Sequence, residues 1–260
     1  MLTEEQSHQA AELLVEAERT RQRMPQLSML HPEITLDEAY RIQSSYVRQR
    51  LDGGARIVGH KIGLTSRAMQ IAAGIAEPDY GCILDDRLFR DGSQISAAMF
   101  LAPKIEVELA FVMGEDLTGP GCAVHDVLRA TEFVMPALEI IDFRTEPPLV
   151  VTDTIADNAA FGALVTGGRI VRPHEADLRW IGATLSRNGV IEESGLSAAI
   201  MGHPAAGIAW LANKLAAHGV TLRRGEIVLC GSFTRAVDVV AGDVFHADFG
   251  RLGAIGVSFA

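Results

Sequence analysis

Three glutamates on two apolar runs are the first candidates for a reactive centre in this chain. A strand over KIEVELAFV (104–112) alternates its side chains, so Ile105, Val107, Leu109 and Phe111 share one face while Glu106, Glu108 and Ala110 share the other. Glu106 and Glu108 then point the same way, roughly 6.6 Å apart at ~3.3 Å per residue. An amphipathic strand with a solvated face would show the same alternation. Glu139 is harder to place in water, because MPALEII surrounds it with apolar neighbours of the kind found in strands buried on both faces. A carboxylate there costs several kcal/mol unless something positive faces it. Three carboxylates from two strands, with no His or Cys beside them, suit a hard divalent cation with oxygen ligands: Mg²⁺, with Mn²⁺ as the alternative, rather than zinc. An ion held this way keeps positions open for a bidentate α-keto acid or its enol, whose enolate charge it would stabilise.

Lys61 is the cationic candidate. In GHKIGLTS it shares a strand face with Gly59 and Gly63, and these small neighbours are expected to leave room for a ligand. His60, on the opposite face, reads as a structural histidine with its hydrogen bonds met. Asp79 in EPDYG follows a proline, where an aspartate either closes an Asx turn or serves a site. Asp157-Asn158 reads as a cap or turn, and His203 before Pro204 as a helix cap. In GSFTR (231–235), Ser232, Thr234 and Arg235 fall on a loop after a strand. Arginine beside a site would bind a second carboxylate bidentately.

The elements that carry these residues follow from periodicity and turn chemistry. Capping boxes at Thr3/Gln6 and Thr35/Glu38 predict two helices, the first ending near Met24 and the second stopped by Gly53-Gly54. This region, 1–55, is expected to form a helical lid or collar rather than a core, ahead of a β-rich domain over 56–260. Strands are expected at 56–63, 104–112 and 136–142, with a helix over His125–Phe133 before the last of these. Asn188-Gly189 predicts a type I′ hairpin, Pro204 opens a helix, and the last forty residues supply three or four more strands.

Composition narrows the function classes. Of 260 residues, 23 are Lys or Arg and 33 are Asp or Glu, a net charge of −10 that argues against a nucleic-acid partner. A mean hydropathy of +0.18 hints at subunit interfaces. No apolar run approaches the ~18 residues of a membrane span, and the polar N-terminus is unlike a signal peptide. Three cysteines, Cys82, Cys122 and Cys230, lie far apart and indicate neither a disulfide framework nor a zinc cluster. The expectation is a soluble cytoplasmic protein.

KIEVELAFV and PALEIID, taken with GHKIGLTS, EPDYG, DNAA, RNGVIEE and GHPAAGIAWLANKL, give the chain a likeness over nearly its whole length. It resembles the hydratase/decarboxylase family of meta-cleavage pathways, within the fumarylacetoacetase-like superfamily. HKIGLTSRAMQ, EPDYG and GSFTR look most like the members that hydrate 2-oxo-hept-4-ene-1,7-dioate in homoprotocatechuate degradation. The resemblance implies an α+β fold, a mixed β-roll core of the fumarylacetoacetase C-terminal type with a helical N-terminal region. It implies Mg²⁺ held by Glu106, Glu108 and Glu139, with Lys61 and Asp79 as the catalytic pair. It also implies a ring-like homo-oligomer, a pentamer or decamer. The expected reaction is hydration of a 2-hydroxydienoate, with Ser232, Thr234 and Arg235 binding substrate. The alternatives are hydration of 2-hydroxypenta-2,4-dienoate, decarboxylation of 4-oxalocrotonate, and a non-catalytic partner subunit of a hydratase/decarboxylase complex. The segment Phe143–Thr152 departs from its counterparts, at the end of the pocket expected to select chain length.

Overall fold

Thr3 and Thr35 each accept a hydrogen bond from the third residue of the helix they open, and Gln6 and Glu38 bond back to the cap, so both capping boxes form. The computed structural model describes residues 2–260, the side chain of residue 72 excepted. Its helices are α1 (Glu4–Thr20), α2 (Leu27–Leu30), α3 (Leu36–Asp52), α4 (Arg67–Ala73), α5 (Val124–Ala130), α6 (Val151–Ala156) and α7 (Pro204–Ala216). Helix α1 stops four residues short of Met24, where Arg21 turns left-handed, and the short α2 follows before α3.

The first two long helices are more than a collar. Ala11, Leu14 and Ala17 of α1 pack with Ala39, Ile42 and Tyr46 of α3 and with Ile155 and Ala156 of α6, which makes a second apolar core. That core ties the N-terminal region to the segment just before residues 157–160.

The strands are β1 (Ile57–Gly63), β2 (Asp79–Leu84), β3 (Leu88–Arg90), β4 (Ser93–Ile95), β5 (Lys104–Met113), β6 (Thr131–Ile141), β7 (Phe161–Thr166), β8 (Gly182–Arg187), β9 (Val190–Leu196), β10 (Ile227–Leu229), β11 (Val237–Asp238), β12 (Val244–Asp248) and β13 (Ala254–Phe259). The helix expected to run to Phe133 ends at Ala130. Thr131 Oγ1 donates to the Val127 carbonyl at 2.7 Å, closing the last turn, and the β-forming run that starts at Thr131 extends β6 backward. Outside the strands, Val171 makes one isolated bridge to Val134.

Eight strands form a mixed sheet in the order β2-β1-β10-β5-β6-β7-β3, with β11 added to the outer part of β5; five more form the sheet β4-β13-β12-β8-β9. Asn188 and Gly189, with φ of 53° and 82°, make the predicted primed turn between β8 and β9. The sheets pack face to face: Ile105, Val107, Leu109 and Phe111 of β5 meet Leu185, Phe245, Ile255 and Phe259 of the smaller sheet. Ala110, Ala137 and Leu164 lie on the opposite face of the large sheet, in a smaller apolar cluster. The glutamates of β5 and β6 therefore point away from the sandwich core and toward the side where α6 and residues 157–160 lie.

Candidate active site

Antiparallel pairing of β5 with β6 sets Glu106 directly across from Glu139, and Glu108 across from Ala137. Carboxylate oxygens of Glu106, Glu108 and Glu139 all lie within 4.8 Å of one another. Glu139 is fully buried and Glu108 nearly so, which excludes the solvated-face reading of this strand. The Gly231 N–H donates to Glu108 Oε2 at 2.9 Å. Neither oxygen of Glu139 has a hydrogen-bond donor among the described residues; its neighbour is Lys61 Nζ, 3.3 Å away.

Lys61 comes from β1, which pairs in parallel with β10 and antiparallel with β2. Its ammonium donates to the Ala159 carbonyl at 2.9 Å. That carbonyl is presented by three successive left-handed residues, Asn158, Ala159 and Ala160, with φ of 53°, 49° and 58°. Backbone of this kind is costly for residues with a Cβ and persists only where its surroundings hold it. The Asn158 side chain supplies one hold, accepting from Cys82 N–H at 2.8 Å and donating to Cys82 O at 2.9 Å. Asp157 supplies another, through Arg144 at 2.8 Å. DNAA thus acts as a clamp behind Lys61, a role invisible in a reading of Asp157-Asn158 as an ordinary cap or turn.

Asp79 pairs with Gly63 at the start of β2, rather than closing a turn, and its buried Oδ1 has no hydrogen-bond partner among the described residues. Of the glycines beside Lys61, Gly63 lines the cavity and leaves room for the site's own side chains, whereas Gly59 makes room for backbone. A Cβ on Gly63 would sit 2.2 Å from Asp79 Oδ1, and one on Gly59 would sit 1.8 Å from the Ile227 carbonyl oxygen. His60 also departs from expectation. Its Nδ1 is buried without a partner, and burial pushes its pKa down to about 4, so it is a neutral core group.

Burial and the charge of Glu139 push the Glu106 carboxyl up to about 7. Burial, then the charges of Glu139 and Glu106, raise Glu108 well above the carboxylate range. Burial raises Glu139 and Asp79 as well, against the pull of Lys61. Burial alone would discharge Lys61, but the carboxylates of Glu139, Asp79, Glu106 and Glu108 outweigh it and keep the ammonium charged. One ammonium among four carboxyls, three of them buried, leaves a deficit of positive charge. The undonated oxygens of Glu139 and the all-oxygen donor set fit a hard divalent cation, whose charge would reverse the upward pull on the glutamates.

Lys61, Asp79 and Glu106 line a cavity of about 850 Å³, a size suited to a small metabolite. Its far wall includes Phe143, Leu149 and Val150, from the segment expected to select chain length. Ser232 and Thr234 line it too, yet their hydroxyls fasten the loop to β5. Ser232 Oγ donates to the Val107 carbonyl at 3.3 Å, and Thr234 Oγ1 accepts from Val107 N–H at 3.3 Å. Arg235 reaches the cavity rim, where Glu193 holds it at 2.7 Å. Lys104, two residues before Glu106 on the same strand face, also lines the cavity; the alternation that singled out the glutamates already placed it there.

Residues 65–259 match the model of the fumarylacetoacetate (FAA) hydrolase C-terminal family. Over 256 residues the chain is 50% identical to 2-oxo-hept-4-ene-1,7-dioate hydratase of Escherichia coli, covering 96% of each. It is 39% identical to 2-hydroxyhexa-2,4-dienoate hydratase of Comamonas testosteroni, covering 95% of this chain and 94% of the other. A structure of 4-oxalocrotonate decarboxylase from Pseudomonas putida G7, complexed with magnesium and adipate, superposes with a TM-score of 0.97 at 36% identity, covering 100% of this chain and 99% of that one. Among the described residues, no helix is long and apolar enough to cross a membrane.

Proposed function

The chain belongs to the fumarylacetoacetate (FAA) hydrolase C-terminal family, and we propose that within it this protein is a metal-dependent hydratase. Its substrate on this reading is 2-oxo-hept-4-ene-1,7-dioate, or the 2-hydroxyhepta-2,4-diene-1,7-dioate tautomer, and its product 4-hydroxy-2-oxoheptane-1,7-dioate, in aromatic catabolism of the homoprotocatechuate type. The observation that carries the reading is the cross-strand trio of Glu106, Glu108 and Glu139, the last two buried, beside Lys61 at one wall of the cavity. The 50% identity to a hydratase of that substrate supports it.

Glu106, Glu108 and Glu139 would hold Mg²⁺, or Mn²⁺ in its place. When bound, the ion supplies Lewis-acid polarisation of the 2-oxo group and neutralises enolate charge. The chain's own residues handle the protons. Addition needs a proton placed at C5 of the dienol and the enol proton removed, giving a conjugated 2-oxo-3-enoate. Water then attacks C4, loses a proton, and C3 gains one. Lys61 Nζ and the unpaired Asp79 Oδ1 are the proton-handling atoms at this wall, and the pair is assigned that traffic. The apolar side chains Phe143, Leu149 and Val150 line the cavity along the carbon chain, and Ser232, Thr234 and Arg235, on the loop after β10, are assigned to substrate binding.

The test is the ultraviolet loss of dienol by the purified chain, with and without Mg²⁺, followed by product mass. Gain of water with dependence on the ion is expected. The 0.97 superposition on a decarboxylase favours a second reading, loss of CO₂ from a related dienolate on the same scaffold; a product shortened by one carbon would select it. Robust hydration by this chain alone would exclude a purely non-catalytic partner role. Exposed Val190, Ile191 and Val244 on the smaller sheet suit burial between copies in a ring-like homo-oligomer, a pentamer or decamer that sedimentation would report. A cytoplasmic location completes the reading.

A further inference from the structure

We infer that Lys104 and Arg235 form a dicarboxylate subsite that receives the carboxylate at the far end of the substrate, with Asp238 as a displaceable counter-ion and Glu193 holding Arg235 in place. The inference rests on the hydratase reading above and specifies which residues make its substrate a diacid.

The placement follows from strand geometry. Lys104, Glu106 and Glu108 occupy successive positions on one face of β5, so Lys104 lies roughly 6.6 Å beyond Glu106 along the strand. The loop after β10 runs beside β5 in the opposite chain direction, from the level of Glu108 down to that of Lys104. Gly231 donates to Glu108 and Phe233 N–H donates to the Val107 carbonyl, after which Val237 pairs with Ile105 and Asp238 with Lys104. Arg235 lies between the Phe233 and Val237 anchors, level with the stretch from Val107 to Ile105, next to Lys104. An extended chain covers ~3.5 Å per three bonds, so the six carbon–carbon bonds of a seven-carbon diacid span ~7 Å. With its 2-oxo acid end at the glutamates, the other carboxylate comes level with Lys104.

Both cations line the cavity, and each has one ion-pair partner, Asp238 exposed and Glu193 largely buried. Lys104 Nζ meets Asp238 Oδ1 at 2.6 Å, with the aspartate side chain 74% exposed. Arg235 meets Glu193 at 2.7 Å, with the arginine side chain 86% exposed and the glutamate 15%. The Lys104–Asp238 pair contributes little in such solvent, so a carboxylate arriving from inside the cavity can take Lys104 at small cost, while the exposed guanidinium of Arg235 can offer further N–H groups to it with Glu193 still held. The remainder of the cavity's far wall is apolar, with Phe143, Leu149 and Val150, and gives a second carboxylate no other cation of comparable reach among the described residues.

Lys104→Met, which keeps most of the side-chain stem, and Lys104→Arg, which keeps the charge, test this in the full chain. Two readouts are used: hydration of the seven-carbon dienedioate against the five-carbon 2-hydroxypenta-2,4-dienoate, and calorimetric binding of unreactive 2-oxoheptanedioate against 2-oxopentanoate. Lys104→Met should lower diacid kcat/KM and binding by roughly tenfold to a hundredfold, leave the monoacid within about twofold, and Lys104→Arg should restore the preference. Arg235→Met should act in the same sense. Equal losses for diacid and monoacid, or no loss for either, would overturn the subsite. Hydration of neither dienol by the wild-type chain would defeat the hydratase reading, and the binding comparison would then decide the subsite by itself.

Discussion

Replacing Glu18 by Gln should lower the stability of this protein by an amount that depends on pH in a set direction. Glu18 ends the buried face of α1 and takes Arg50 Nη1 at 2.7 Å on both oxygens, the Tyr46 hydroxyl at 2.7 Å, Arg144 Nε at 3.7 Å, and Arg87. Burial alone would raise its carboxyl pKa, but the guanidiniums of Arg144, Arg50 and Arg87 outweigh burial and bring it from 4.5 to about 2. At ~1.4 kcal/mol per pH unit, that difference is ~3 kcal/mol of folding stability at neutral pH. Because the folded value is the lower one, the contribution is complete above about pH 4.5 and fades as pH falls toward 2. The variant should therefore melt well below the wild type at pH 7, and the gap should shrink to roughly half by pH 3. Urea or thermal unfolding of both proteins from pH 7 to 3 reads this directly. A gap of the same size at pH 3 and pH 7 would refute the charge argument and leave only packing. Arg144 also grips Asp157, so the variant tests whether the N-terminal helices brace the clamp behind Lys61.

Other substitutions probe the site itself. Glu139→Gln should weaken divalent-cation binding by more than the roughly 10–100-fold typical of outer-sphere changes; unchanged calorimetric titration would remove the trio as ligands. Lys61→Met should lower kcat by ~10²–10⁴ with the cation still bound, and near-normal turnover would dismiss Lys61 from the chemistry. Asn158→Ala strips two hydrogen bonds from the Cys82 backbone and should cut kcat while sparing cation affinity, whereas parallel losses in both would mean general unfolding. Gly59→Ala places a Cβ 1.8 Å from the Ile227 carbonyl oxygen, so a cost of ~1–3 kcal/mol or more should appear as a Tm lower by several degrees; an unshifted Tm would contradict the close β1–β10 approach.

What could be read in the chain beforehand is what depends on neighbours in sequence. Capping boxes at Thr3 and Thr35, the Asn188-Gly189 turn, and the in–out alternation of β5 are local, since side-chain oxygens and backbone torsions act over a few residues. Glu139 amid apolar residues announced a buried charge before any partner was known. Tertiary structure alone decided who faces whom. The β5–β6 register put Glu106 opposite Glu139, and a one-residue slip would have sent one of them to the sandwich core. Asp79 left its expected turn because pairing with Gly63 claimed it, and the glycines beside Lys61 made room for protein atoms. The left-handed turn at 158–160 had no local signature, since its strain is held from a distance by Cys82 and Arg144. Spacing along a chain sets the face on which a side chain stands; the charge that stabilises it comes from segments brought near only when the sheet closes.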